Sequence, residues 1–267
     1  MTSALFDVPG PKAKRRIHII TAISLVLFAA LLAYGYYLFW VNGQLSSRKW
    51  INFSQWPTQR YLLKALGNTL LAASGGAALA LPLGVLLAVG RLSKTRLLRW
   101  SATAVIEFFR AIPLLLVIYI FLIALPQHGI NPDLFWKLVI PIALCAAATI
   151  AEELRAGVLA VPAGQVEAGR AVGMSERQIM RMILMPQAIR MVVPSLVAQL
   201  VILLKDTTLG YVVSYGELQH SARVLVASTG NLIQTYLVVT LIYIGLNVAI
   251  SHFAHYLDQR RLRRLGQ

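Results

Sequence analysis

Val166-Glu167-Ala168-Gly169, then Gly173, then Ile183-Leu184-Met185-Pro186 mark a hydrophilic interlude, residues 158–187, between two long apolar runs. Arg170, Arg177, Arg181 and Arg190 lie in or beside it. Pro162-Ala163-Gly164 breaks the preceding helix, and residues 165–172 then form a short helix offering Val166, Ala168, Ala171 and Val172 to a partner. Gly173 suits the left-handed position that ends a helix. Ser175 and Gln178 have the spacing of a capping box that starts the next one. Ile179, Met182, Ile183 and Met185 recur at helical spacing, and Pro186 is expected to begin a new segment. The expectation is two short helices at an angle, joined at a glycine. Such an element either docks in a groove on a partner and transmits a rigid push, or lies as an amphipathic loop on lipid headgroups.

The flanking composition decides the fold class. Hydrophobic residues make up 58% of the chain and charged residues 13%, with a mean hydropathy of +0.68, too few charges for a soluble surface. Apolar runs long enough to cross a bilayer, about 17–25 residues each, recur near 17–40, 62–90, 103–125, 137–157, 188–212 and 232–256. The chain is therefore expected to be an all-α membrane protein with about six transmembrane helices. The second run is rich in small residues, from Ala72 to Ala80, which let helix backbones approach closely where lipid supplies no hydrophobic drive. Pro82, Pro113, Pro141 and Pro194 fall inside runs and permit kinks.

The net charge of +15 is placed for a membrane rather than for nucleic acid. Lys12, Lys14, Arg15 and Arg16, then Arg91, Lys94, Arg96 and Arg99, then the interlude, then Arg260, Arg261, Arg263 and Arg264 occupy alternate hydrophilic segments. The other side holds few cations, such as Arg48, Lys49 and Arg223. The positive-inside rule then puts both termini in the cytoplasm of a multi-pass cell-membrane protein. No basic domain stands apart from the spans, which excludes a nucleic-acid partner. The Pro9-Gly10-Pro11 stretch is expected to be irregular. The first run ends in Tyr36, Tyr37 and Trp40 without a small-residue cleavage site, so it is an uncleaved span rather than a signal peptide. Cys145, the single cysteine, lies within a span and permits no internal disulfide.

The interlude resembles the coupling loop of type I ABC-importer permeases, whose pattern runs Glu-Ala-Ala, three residues, Gly, nine residues, then Ile-x-Leu-Pro. The spacing fits throughout; Gly169 replaces the second alanine and Met185 the leucine. From about Tyr61 to Tyr256 the chain is similar to the polar amino-acid group of these permeases, through Gly67-Asn68-Thr69-Leu70, Glu107-Phe108-Phe109-Arg110-Ala111-Ile112-Pro113 and Leu204-Lys205-Asp206-Thr207-Thr208-Leu209. Phe-Arg-Ala-Ile-Pro in place of the usual Phe-Arg-Gly-Thr-Pro, Leu5 to Ala13 and the added first helix look like actinobacterial glutamate permease subunits. The resemblance implies a division into a basic tail (1–16), an extra helix with an external loop (17–61), a permease domain (62–256) and a second basic tail (257–267).

It further implies that Glu167, Ala168, Gly169, Gly173, Ile183 and Pro186 engage an ATP-binding subunit dimer. The other implied partners are a second permease, identical or related, and an extracellular solute-binding protein. No cofactor is expected on this chain. No Gly-x-x-x-x-Gly-Lys-Ser/Thr occurs, and Gly90 to Thr95 lacks the glycine before its lysine, so ATP and Mg2+ belong to the partner. The implied cargo is glutamate, or another polar amino acid such as glutamine. A channel is the distant alternative; an enzyme would need clustered catalytic groups. His252 and His255 are interfacial polar residues rather than metal ligands.

Ionisable groups inside spans cost about 2.5–3.5 kcal/mol at the membrane centre and so mark sites of function. Lys205 and Asp206, with Thr207 and Thr208, lie about 22 Å along their helix from Arg190. They either line a substrate path, as complements to an ammonium and carboxylates, or bond structurally to neighbouring helices. Arg110 stands three residues from Glu107, where it forms a salt bridge or meets ligand. Glu152, Glu153 and Arg155 close the fourth run and either position the interlude or snorkel to the interface.

Overall fold

The computed structural model describes residues 10–265, with side chains through His252, and divides into two units between Gln55 and Trp56. Residues 1–9 of the expected first tail, and Gly266 and Gln267 of the second, lie outside the described residues. So do the side chains of His255, Arg260, Arg261, Arg263 and Arg264.

In the first unit α1 spans Pro11–Val41 and α2 Ser47–Ser54. Pro11, expected to be irregular, instead opens α1, because a proline at the first helical position gives up only an orphan N–H, and the basic residues after it are helical. Gly43, at φ 61°, ends α1, with its amide donating to the Trp40 carbonyl and the Gln44 amide to Phe39. The α2 segment carries Trp50 and Phe53 with ring centroids 6.2 Å apart, an aromatic anchor of the kind found at membrane interfaces.

The second unit holds α3 (Trp56–Arg91), α4 (Arg96–Ala111), α5 (Leu114–Gln127), α6 (Leu134–Leu159), α7 (Ala163–Ala171), α8 (Glu176–Tyr211), α9 (Leu218–Thr229) and α10 (Leu232–Leu265). Every described element is helical. The central member is α6, whose apolar stretch is 61% buried against 17–28% for α3, α8 and α10. It packs most extensively on α3, where Ala65, Thr69, Ala72, Gly76, Ala80, Gly84 and Ala88 form one buried stripe. A methyl group at Gly84 would come within 2.6 Å of Ile150 Cγ2 and 2.9 Å of its Cβ, so even alanine would force α3 off α6. Gly157 is seated as tightly against Val192 of α8. The opposite faces expose Leu63, Leu71, Leu86, Leu241, Ile244 and Val248, as a lipid-facing surface requires.

The third apolar run, expected as one span over 103–125, is instead α4 and α5 meeting at 99°. Pro113 biases the residue before it away from helix, and Ile112 is extended, with φ −87° and ψ 133°. The other prolines within the expected runs, Pro82, Pro141 and Pro194, are carried without a break. Among the described residues five helices are long and apolar enough to cross a membrane, or six if the bent pair is counted as one span.

Candidate functional site

The element between α6 and α8 is built almost entirely by local rules. Pro162 stands immediately before α7. At its other end the Gly173 amide donates to the Arg170 carbonyl and the Met174 amide to Gly169, both at 3.0 Å, with Gly173 at φ 80°. This is the Schellman arrangement, whose left-handed φ favours glycine at that point. Ser175 and Gln178 form the expected capping box: the Ser175 amide donates to Gln178 Oε1 at 2.8 Å, and the Gln178 amide to Ser175 Oγ at 3.4 Å.

One expectation is corrected here. Pro186 starts no new segment, and the second helix is not short, because α8 runs unbroken from Glu176 to Tyr211. The chain widens into a π-helical stretch over Ile179–Leu184, immediately before Met185 and Pro186. Proline has no N–H for the ordinary i→i−4 bond, and the wider turn takes up that defect without a break. The same device precedes Pro126 in α5, where Ile120–Ala124 is π-helical.

The candidate residues of this element divide into two groups. Glu167, Ala168, Gly173 and Pro186 are exposed, beside Val172 at 77% and Met182 at 68% exposure, a mixed apolar and acidic surface. Gly169 and Ile183 instead face each other: a methyl on Gly169 would sit 2.9 Å from Ile183 Cδ1 and 3.1 Å from Ile179 Cγ1. They brace α7 against α8. Arg170 Nε donates to Glu176 Oε1 at 2.8 Å, an ion pair that raises the Arg170 guanidinium further above its ordinary range. Lys94, in the α3–α4 turn, approaches the other oxygen of Glu176 at 3.7 Å.

Beside that turn, Arg91 ends α3 with two carboxylates on its guanidinium. Glu107 of α4 and Glu152 of α6 each lie 2.8 Å away, and the Arg91 side chain is only 14% exposed. The expected pair of Glu107 with Arg110 is present but longer, at 3.6 Å, and Glu152 also holds Arg155 at 3.0 Å. One arginine thus joins three helices. This hub was not anticipated, because its partners are 16 and 61 positions away and no spacing rule links them.

The far end of α8 carries the other candidates. Lys205 is exposed, whereas Asp206 is half-buried and within electrostatic reach of Cys145 on α6. Among the described residues no ion pair involves either of them. Thr207 is fully buried and donates to the Leu204 carbonyl at 2.6 Å, and Thr208 donates to Lys205 at 2.7 Å. Arg110 belongs with the hub near the start of α8, about 40 Å of helix from Lys205. The structure therefore does not gather these five candidates into one cluster.

A polar knot follows α8 that the sequence reading did not single out. Glu217 is fully buried; its two carboxylate oxygens accept from the His220 amide at 2.6 Å and the Gln219 amide at 2.7 Å, so it caps α9. Tyr243 of α10 donates its hydroxyl to the same carboxylate at 3.0 Å. Asn68 of α3 donates to the Gly216 carbonyl at 2.8 Å, and the Leu218 amide donates to Thr69 Oγ1 at 3.1 Å. Burial pushes the Glu217 carboxyl up to about 7, against the opposing pull of its three donors. Its available signal was a lone acid standing directly before a helix, the position that favours a side-chain acceptor. Lys137, in the first turn of α6, is a further buried charge, at 8% exposure.

Residues 80–263 match the family model described as binding-protein-dependent transport system inner membrane component. The glutamate transport system permease protein GluD of Corynebacterium glutamicum is 39% identical over 228 residues, 83% of this chain and 82% of its own. The probable glutamine ABC transporter permease protein GlnM of Bacillus subtilis is 37% identical over 193 residues, covering 72% and 89%. A crystal structure of an amino acid ABC transporter with histidines superposes with a TM-score of 0.74 at 26% identity, over 78% of this chain and 97% of that one. The inward-facing MetNI methionine ABC transporter, at 23% identity and a TM-score of 0.63, covers 77% and 98% and shares the fold.

Proposed function

This chain belongs to the binding-protein-dependent transport system inner membrane component family, as a permease subunit of an amino-acid ABC importer, and we propose that it imports L-glutamate. The observation that carries the choice of cargo is the 39% identity to a glutamate permease over most of both chains. Glutamine is the second reading, favoured by the 37% identity to a probable glutamine permease. The two cargoes differ by one carboxylate against one amide, so a competition experiment separates them. Uptake of labelled glutamate, with and without this gene, is expected to depend on the gene and to be blocked by excess glutamate and aspartate. Blockage by glutamine instead would keep the importer and discard the cargo. Flux that persists with the ATPase inactivated would replace the importer by a channel.

In this reading the chain pairs with a second permease, two ATPase subunits carrying ATP and Mg2+, and an external solute-binding protein. The basic end of the bundle, with Arg91, Lys94 and α7, faces the cytoplasm along with both termini, as the cation distribution favours. The exposed Glu167–Ala168 surface of α7 docks on the ATPase. Closure of the ATPase dimer draws the two α7 elements together and opens the path outward; hydrolysis resets it inward.

Lys205 and Asp206 lie at the opposite end, without ion-pair partners among the described residues. They serve there as polar contacts for the amino acid. Asp206→Ala is expected to lower uptake by about tenfold, the loss of one charge-assisted hydrogen bond, while the complex still assembles. Normal uptake in that variant would remove Asp206 from the path.

A further inference from the structure

Force entering α7 passes along the chain into α6, which leads into it, and into α8, which follows it, whereas the α3–α4 turn has no such continuity with α7. Two observations supply a connection. Glu176 holds Arg170 of α7 with one oxygen, at 2.8 Å, and meets Lys94 of the α3–α4 turn with the other, at 3.7 Å. Three residues before Lys94, Arg91 fastens the same turn to Glu107 of α4 and Glu152 of α6.

Gly173 would otherwise act as a hinge, since the joint between α7 and α8 is only a Schellman turn and a capping box. Its apolar brace, Gly169 against Ile179 and Ile183, fixes the joint on one side. The Arg170–Glu176 pair crosses the joint as a polar brace, and Lys94 extends it to the neighbouring turn.

We propose that Glu176 is a positioning residue that makes α7, the base of α8 and the α3–α4 turn a single lever, so that a push on α7 moves α3, α4 and α6 together with α8. This rests on the reading of α7 as the ATPase-docking surface. All three side chains are roughly half-exposed or more, so their pairing sets geometry more than stability. Exposed pairs of this kind shift an equilibrium by up to about fivefold.

The test uses the whole importer in proteoliposomes and reads glutamate transported per ATP hydrolysed, with co-purification of the ATPase subunit as the assembly readout. Glu176→Lys is expected to keep the ATPase subunit and to lower the transport ratio by about three- to fivefold. The triple reversal K94E/R170E/E176K, which restores both pairings with their signs exchanged, is expected to bring the ratio back to within about twofold of wild type. An unchanged ratio in the single variant, or a triple variant that fails to recover, overturns the lever. Loss of the ATPase subunit from the single variant also overturns it, because Glu176 would then belong to the docking surface itself. Failure of the docking reading shows separately, as indifference of the complex to substitutions at Glu167.

Discussion

Replacing Glu217 by alanine is expected to leave little folded protein. The change strips the acceptor from the His220 and Gln219 amides and from the Tyr243 hydroxyl, all in a site with no exposed surface at the carboxylate. Each buried donor left without a partner costs about 1–3 kcal/mol. The side chain also fills the space over Gly210, where a methyl group would lie 2.7 Å from Glu217 Cγ, so its removal opens a void. Two orphaned amides, a Tyr243 hydroxyl left to Thr69 and Thr207, and a cavity together approach the stability of a typical domain, about 5–15 kcal/mol. Size-exclusion profiles and thermal unfolding in detergent read the effect; an alanine variant as stable as wild type would refute the capping role. Glu217→Gln keeps one acceptor oxygen and is expected to be far milder.

The same residue makes stability depend on pH. Burial lifts its carboxyl from 4.5 to about 7 in the folded protein. Between those values the folded state binds a proton that the unfolded chain has released, so stability falls as pH rises through that window. The melting temperature is expected to drop from about pH 5 to about pH 8, and the Glu217→Gln variant to lose that slope.

Glu167→Lys is expected to abolish stimulation of ATP hydrolysis by loaded binding protein and to cut uptake by well over tenfold. Glu167 is exposed on α7 beside Ala168 and Val172, so the change leaves the fold of the subunit alone. At a docked surface it converts a favourable charge contact into a like-charge one, which costs several kcal/mol, and about 1.4 kcal/mol is already tenfold. ATPase activity measured with and without loaded binding protein decides the matter: full stimulation in the variant would show that α7 does not dock through this residue.

What proved legible in the sequence was what short-range chemistry writes. Gly173 and the Ser175–Gln178 box fall where their spacing placed them, because a Schellman turn and a capping box are closed within six residues. The long apolar runs are equally local, although α3 and α8 extend beyond the expected bounds into polar residues that still favour helix. Prolines were harder. Pro113 follows an extended Ile112 and breaks its span by 99°, Pro186 follows a widened turn and breaks nothing, and Pro82 sits inside α3 with neither. The Arg91 hub and the Glu217 knot stayed hidden because their partners, Glu152 61 positions away and Asn68 148 from Gly216, are neighbours only after the helices pack. Lys205 and Asp206 stood out as charges in an apolar run, and adjacent helix positions point about 100° apart; the packed bundle adds that the first is exposed and the second half-buried.

The π-helical stretch Ile179–Leu184 sets the phase between the two ends of α8. A widened turn spends one residue more than an α-turn, and one residue is about 100° of helix rotation. The widened turn takes up that residue, so Lys205 and Asp206 meet the bundle at the azimuth they would have on an α-helix one residue shorter. A one-residue deletion within 179–184 would close that turn to α geometry and leave the far half facing as it does now. The same deletion between Pro186 and Lys205 would instead turn the far half by about 100°, keeping the length and hydropathy of the helix while pointing different side chains inward.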